Sequence, residues 1–420
     1  MCIWKKGSAI MDRKLRDHAD YIVSSAIRAV MPDEAVSRAL SDRCFTGRVF
    51  LVAAGKAAWQ MAKAAWDCLG GQIHAGVVVT KYGHVMGPIG DFVCCEAGHP
   101  IPDENSFAGT RKALDLVSGL TKEDTVLFLL SGGGSALFEM PLVPGEELQD
   151  ITGQLLACGA DIVEINTIRK RLSGVKGGRF AQACAPAQVF SVVLSDILGD
   201  PLDMIASGPA VPDSSTCARA AAIAEKYRLK LSEAARDLLC RETPKELNNV
   251  TTVITGSVRQ LCAAAADACR ELGYDPLILT DRLCCQAKEA GSFLASILNT
   301  HTDAGKKMAF IAGGETVVQL TGKGKGGRNQ ELALAAAPGI SGIPGAAVFS
   351  VGSDGTDGPT DAAGGYADYE TNAALKEVGI DVYRVLLNND AYHALEKVNG
   401  LIITGPTGTN VNDVAVALLG

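Results

Sequence analysis

The sequence predicts an α/β protein with a doubly wound parallel sheet in its N-terminal part and a smaller C-terminal α/β part with a mixed sheet. Two observations carry the first half of that statement. Short apolar, β-branched runs alternate with Ala-rich helical stretches along the chain. The early runs are too uniformly apolar to be solvated on one face, as expected of parallel strands covered on both sides. A third observation carries the rest: beyond residue 305 the strand-like runs are joined by short Gly-rich loops, which suits antiparallel neighbours.

The elements follow in order. Strands are expected over 49–54, 76–80, 92–95, 125–130 and 188–194, with helices over 57–69, 105–119, 146–157 and 161–172 between them, the βαβ pattern of a doubly wound sheet. The polar stretch 217–241 reads as helix, and 242–249, with Pro244, reads as a junction. The expected division is therefore 1–241 and 242–420. A second series follows: strand 251–255, helix 257–272, strand 276–280 and helix 286–300. Strands are then expected over 307–312, 316–321, 346–351, 401–404 and 413–419. Only Gly313, Gly314 and Glu315 separate the first two, which predicts a hairpin.

Composition narrows the function. The 420 residues carry 39 basic and 47 acidic side chains, a net charge of −8, and only 5% aromatics. That argues against nucleic acid or an anionic membrane as partner. No run approaches the roughly 20 apolar residues of a membrane span. Met1 to Lys6 is basic, and Asp12 arrives too early for a signal-peptide apolar region. A cytoplasmic protein is expected, monomer or homodimer. Thirteen scattered cysteines without a CxxC read as reduced thiols.

The chemistry-bearing residues cluster at strand ends, where open α/β sheets bind ligands. Lys56 follows Gly55 at the end of the first strand and opens a helix. A lysine there opposes the helix dipole, so a phosphate is the better explanation. Ser131, Gly132, Gly133, Gly134 and Ser135 follow the strand 125–130, and consecutive free amides of such a turn form an anion nest. Arg169, Lys170, Arg171, Lys176 and Arg179 surround Gly174, Gly177 and Gly178 in a local basic patch; Lys176 with its glycines suits an anionic ligand, while 169–171 fit a solvated helix face equally well. Asp196 ends the strand 188–194. Asp354, Asp357 and Asp361 follow the strand 346–351; oxygen-only ligands suit Mg2+, with Asp354 the metal candidate and the other two turn caps. Gly322, Gly324 and Gly327 satisfy GxGxxG and keep a nicotinamide site open, but Lys323, Lys325 and Arg328 bring more positive charge than dinucleotide phosphates need. No GxSxG elbow supports a hydrolase, and His99 is the one histidine in a Gly/Pro-rich turn. Cations, a nest and a metal-type carboxylate without a covalent nucleophile point to phosphoryl transfer.

The motifs, taken in order, resemble the glycerate 2-kinase family whose C-terminal part is called MOFRL. They are Ala54-Gly55-Lys56-Ala57, Gly98-His99-Pro100, the 131–137 loop, Asn166-Thr167-Ile168-Arg169-Lys170, Lys176-Gly177-Gly178, Leu194-Ser195-Asp196, Ala206-Ser207-Gly208-Pro209, Gly313-Gly314-Glu315-Thr316, Gly327-Arg328-Asn329-Gln330-Glu331, Gly352 to Gly358, and Gly408 to Asp413. The resemblance implies a Rossmann-like N-terminal domain, a MOFRL region over about 305–414 and an active site in the interdomain cleft. It implies ATP- and Mg2+-dependent phosphorylation of D-glycerate to 2-phosphoglycerate. Members also labelled hydroxypyruvate reductase supply the competing activity, which would need the GxGxxG loop. Lys56 and Arg328 are the implied charge-stabilising residues, with Asp196 as candidate base. The 131–135 loop, Lys176, Glu315 and Asn410 are expected to hold nucleotide or substrate, and Asp354 with Glu315 the metal.

Overall fold

The computed structural model describes residues 12–420, so the basic segment Met1 to Lys6 lies outside the described residues. The chain forms two compact units: Pro32–Thr255, and residues 12–31 together with Gly256–Gly420. The division expected at 241/242 is therefore moved at both ends. The strand Val250–Gly256 joins the first sheet, because its neighbour β5 leaves an edge for it. The helix Arg13–Ala29, passed over in the sequence, buries Leu15, Ala19, Ile22, Val23, Ala26 and Ile27 within the other unit.

The first unit is built on β1 (Val49–Ala54), β2 (Ile73–Lys81), β3 (Val93–Ala97), β4 (Thr125–Leu130), β5 (Gln188–Leu194) and β6 (Val250–Gly256), in the order β3-β2-β1-β4-β5-β6. The pairs among β1 to β5 are parallel. β1 is wholly buried, as its run of apolar side chains requires. Asp103 and Asp161 cap the helices Glu104–Val117 and Ile162–Leu172 through capping boxes, which fixes where each helix begins. Phe128, Phe138 and Phe180 meet in the core, with the Phe128 and Phe180 ring centroids 4.7 Å apart; each such burial contributes roughly 2–3 kcal/mol. The stretch expected as one helix over 217–241 is two, Cys217–Lys226 and Glu233–Leu239. Arg228 at φ 49° breaks the helical run between them.

The second unit holds β7 (Asp275–Leu283), β8 (Met308–Gly314), β9 (Ala347–Gly352), β10 (Gly364–Asp368), β11 (Leu401–Ile402) and β12 (Asp413–Leu419), in the order β11-β10-β9-β12-β8-β7. The mixed sheet is present: β7 and β8 run parallel, while β12 lies antiparallel between β8 and β9. The hairpin expected at 316–321 does not form. Both sides of β8 are taken by β7 and β12, so the chain after Gly314 leaves the sheet, and Val317 makes only an isolated bridge to Gln286. β10 was not anticipated, because Gly364 and Gly365 dilute its strand signal.

No helix among the described residues is long and apolar enough to cross a membrane.

Candidate functional site

In the first unit the strand order turns at β1, with β1 and β4 side by side and running parallel from Val49↔Thr125 to Ala54↔Leu130. Their connections leave in opposite directions, and such a switch point opens a crevice at the carboxyl ends of the strands. The loops after β1 and β4 meet there. The Lys56 N–H donates to the Gly132 carbonyl at 2.8 Å, and Ala57 N–H donates to Ser131 Oγ at 3.1 Å. Three side chains converge on the glycine loop. A methyl group on Gly132 would lie 2.2 Å from Asp196 Oδ2. One on Gly133 would lie 3.0 Å from His99 Cδ2 and 3.1 Å from Lys56 Cγ, and Gly133 has φ 84°. The loop is thus glycine because side chains pack against its backbone and because it turns left-handed at Gly133.

The electrostatics of this corner are positive. Among the described residues the Lys56 ammonium has no ion-pair partner, and no acceptor takes the N–H groups of Gly132 and Gly133. Burial and the neighbouring Lys56, Lys81 and His84 all lower the His99 pKa, so its imidazole is neutral near pH 7. The structure thus brings Lys56, the 131–135 loop, Asp196 and His99 together.

Lys176 does not join them as a ligand-binding cation. It is fully buried, its Nζ donates to the carbonyls of Ser135 at 2.9 Å and Phe138 at 3.0 Å, and it faces Glu139 at 3.0 Å. Two ammonium protons go to those carbonyls, and the charge is paired with Glu139. Burial pulls its pKa down to about 8 against the opposing field of Glu139. Lys176 ties the end of the glycine loop to the core, which corrects the expectation of a phosphate contact. The Lys170 and Arg171 charges are likewise spent internally: Lys170 Nζ lies 3.3 Å from Asp213, and Arg171 Nη1 lies 3.6 Å from it.

In the second unit the sheet register builds the other cluster. Asp413, first residue of β12, pairs with Gly314 at the end of β8 and with Gly352 at the end of β9. It therefore stands between the chain that continues into Glu315 and the chain that continues into Asp354. Arg328 opens the helix Arg328–Ile340 and forks onto Asp413, Nε to Oδ2 at 2.5 Å and Nη2 to Oδ1 at 3.0 Å. Its Nη1 donates to Glu315 Oε1 at 3.0 Å, and Asn412 Nδ2 donates to Glu315 Oε2 at 3.3 Å. Burial opposes the Arg328 charge, but Asp413 and Glu315 outweigh it and raise its pKa. Asp354 Oδ1 accepts from the N–H and hydroxyl of Thr356, leaving Oδ2 without a partner among the described residues. Asn410 is exposed, and its side chain accepts only a long 3.4 Å bond from Asn412 N–H.

Arg328 is thus no free cation, and Asp413 and Asn412 are site residues the sequence reading placed only in a motif. The signal for Asp413 was present: it is a single carboxylate heading an otherwise wholly apolar strand, Asp413-Val414-Ala415-Val416-Ala417-Leu418-Leu419. Asp357 caps the helix Arg328–Ile340 by accepting from the N–H groups of Asn329 at 3.1 Å and Gln330 at 2.9 Å. The GxGxxG reading fails on that contact. The anion at this helix start is the protein's own Asp357, and no strand precedes the loop. Methyl groups on Gly322 and Gly324 would lie 2.3 Å and 2.4 Å from Asn388 and Asp390. Those glycines serve loop packing and leave a pyrophosphate no approach.

No group of three or more His, Cys, Asp or Glu side chains suited to a metal occurs among the described residues. Glu315 has both oxygens engaged, so Asp354 is the carboxylate best placed to reach a cation.

Comparison with known proteins covers nearly the full chain. The family described as a domain of unknown function, DUF4147, matches residues 18–240, and the MOFRL family matches 308–413. The D-glycerate 2-kinase of Thermotoga maritima is 54% identical over 411 residues, covering 96% of this chain and 98% of that protein. The crystal structure of a glycerate kinase from Thermotoga maritima superposes with a TM-score of 0.93 at 53% identity, over 97% of this chain and 100% of the other. A putative hydroxypyruvate reductase of Agrobacterium vitis is 39% identical, over 95% of this chain and 93% of that protein.

Proposed function

Because the chain belongs to the glycerate 2-kinase family with a C-terminal MOFRL region, we propose that it transfers the terminal phosphoryl group of ATP to the 2-hydroxyl of D-glycerate, giving 2-phospho-D-glycerate and ADP. One observation carries this reading: an ammonium without an ion-pair partner, Lys56, stands against a glycine loop with free amides at the switch point of a parallel sheet. That combination suits an anion with several oxygens. The competing reductase activity needs a dinucleotide loop, and the GxGxxG glycines are filled by their own chain.

Phosphoryl transfer proceeds through a loose transition state, so the protein's part is placement and charge neutralisation. Lys56 and the Gly132 and Gly133 amides hold anionic oxygens and offset the charge that develops on the moving group. Asp196, packed against Gly132, accepts the proton of the attacking hydroxyl. Arg328 keeps two of its five N–H donors uncommitted, available to anionic oxygens while Asp413 and Glu315 hold the fork in place. Hard carboxylate oxygens suit Mg2+, which takes one or two carboxylates and completes its shell with water and phosphate; Asp354 would hold it, and Glu315 would join only by giving up a bond to Arg328 or Asn412. A cation held there would supply positive charge to offset that of the phosphate oxygens.

The test is direct. Purified protein with ATP, Mg2+ and D-glycerate yields ADP and a product that enolase consumes without a mutase, which identifies the 2-phosphate. EDTA abolishes turnover, and Asp354→Asn raises the Mg2+ concentration needed for half-maximal rate. NADH or NADPH with hydroxypyruvate gives no oxidation. Rapid nicotinamide oxidation with no ATP-dependent product overturns the proposal.

A further inference from the structure

The last turn of the helix Ile162–Leu172 carries Arg169, Lys170 and Arg171. Asp213 faces both Lys170 and Arg171. Arg169 has no such partner. Its single hydrogen bond runs from Nη2 to the Ser135 carbonyl at 3.1 Å, its Nε is buried without an acceptor, and no carboxylate forms an ion pair with it among the described residues. The acid whose field reaches it is Glu139, and that carboxylate already lies 3.0 Å from Lys176 Nζ. Arg169, half-buried with its Nε sealed from water, and Lys176, fully buried, therefore share one buried carboxylate, and they share the Ser135 carbonyl as well.

A partly buried charge without a paired counter-charge is costly in proportion to its desolvation. Proteins accept that cost where a ligand brings the missing charge. Arg169 meets the glycine loop at its last residue, Ser135, and Gly132 and Gly133 of that loop present the free amides already described. We propose that Arg169 is the counter-ion for a substrate oxyanion held at the 131–135 loop, a carboxylate or phosphoryl group that its planar fork grips through paired N–H donors. Lys176 and Glu139 position the loop from below through Ser135 and Phe138, and Arg169 supplies the remaining positive charge. This assignment rests on the kinase reading for the identity of the oxyanion, but the presence of an anion site at Arg169 does not.

The experiment measures binding apart from turnover. Thermal-shift titrations of the whole protein with D-glycerate, with ATP and with inorganic phosphate give an apparent Kd for each, for the parent, Arg169→Gln and Arg169→Lys. Arg169→Gln is expected to weaken one class of ligand at least tenfold and leave the other within about twofold, with partial recovery in Arg169→Lys. A loss confined to D-glycerate identifies the carboxylate as the partner; a loss confined to ATP and phosphate identifies the phosphoryl group. Without ligand, Arg169→Gln melts no lower than the parent, because it removes an uncompensated cation. Unchanged affinities for all three ligands, or a lower melting temperature with equal weakening of every ligand, overturn the proposal. If the parent binds these anions through Arg169 but shows no ATP-dependent turnover, the kinase reading fails while the anion site stands.

Discussion

Replacing Arg328 with alanine should cost stability as well as activity. Its guanidinium makes three charge-assisted hydrogen bonds, two to Asp413 and one to Glu315. The Asp413 side chain is 8% exposed, so water cannot replace the fork once it is gone. Removing one partner of a buried pair costs about 3–5 kcal/mol. Burial already pushes the Asp413 pKa up, so this carboxyl can take a proton and relieve part of the penalty, which places the loss near the lower end, about 3 kcal/mol. At roughly 2–4 °C per kcal/mol for a unit of this size, the melting temperature falls by about 6–12 °C. Arg328→Lys restores the charge but not the fork and falls between the two. In Arg328→Ala/Asp413→Asn the buried charge disappears with its partner, so the double variant is more stable than the sum of the single losses. Calorimetry on the parent, Arg328→Ala, Arg328→Lys, Asp413→Asn and the double variant reads the stabilities, and the coupled assay reads turnover, expected to drop at least ~10³ in Arg328→Ala. A melting temperature within about 2 °C of the parent, or strict additivity in the double variant, would refute the view that this pair holds the site together.

Lys56→Ala should show the opposite profile, a loss of at least ~10³ in kcat with an unshifted melting temperature, because no ion pair is broken; a stability loss without a kinetic one removes Lys56 from the site. Lys176→Met should destabilise by about 3–5 kcal/mol in urea unfolding by leaving Glu139 buried and unpaired, and Lys176→Met/Glu139→Gln should recover most of that; weakened ATP binding at full stability would restore Lys176 as a phosphate ligand. Burial raises the Asp357 pKa to about 6, so the folded state holds this proton more tightly than the unfolded one. Its contribution is present below the ordinary carboxylate range and is lost as pH rises through about 6. Unfolding free energies between pH 4 and 7 should therefore fall less steeply in Asp357→Asn than in the parent, and identical slopes would contradict the assignment.

Much of the first unit was legible because its information is local. A buried parallel strand is a run of apolar residues whatever its neighbours, and β1, β4 and β5 lie where those runs predicted them. Lys56 and the 131–135 loop were legible for the same reason: each directly follows a strand, and a parallel sheet puts those ends on one side. The hairpin at 316–321 was misread because the choice between pairing onward and leaving the sheet depends on whether β12, about a hundred residues later, occupies the edge of β8.

What the sequence by itself determined was which residue types sit at strand ends: a lysine after β1, a glycine run after β4, a glutamate after β8 and an aspartate after β9. Periodicity and turn chemistry act over a few residues, so the chain records them directly. Tertiary structure alone decided which of the charges remain available. Lys176 and Arg328 look alike in sequence as cations among glycines, yet one is sealed against Glu139 and the other is forked onto Asp413. Arg169, beside two neutralised neighbours, is left without a carboxylate. Ion pairing depends on distances across the fold and on how much water is excluded between the partners, and neither quantity is written in the order of the residues.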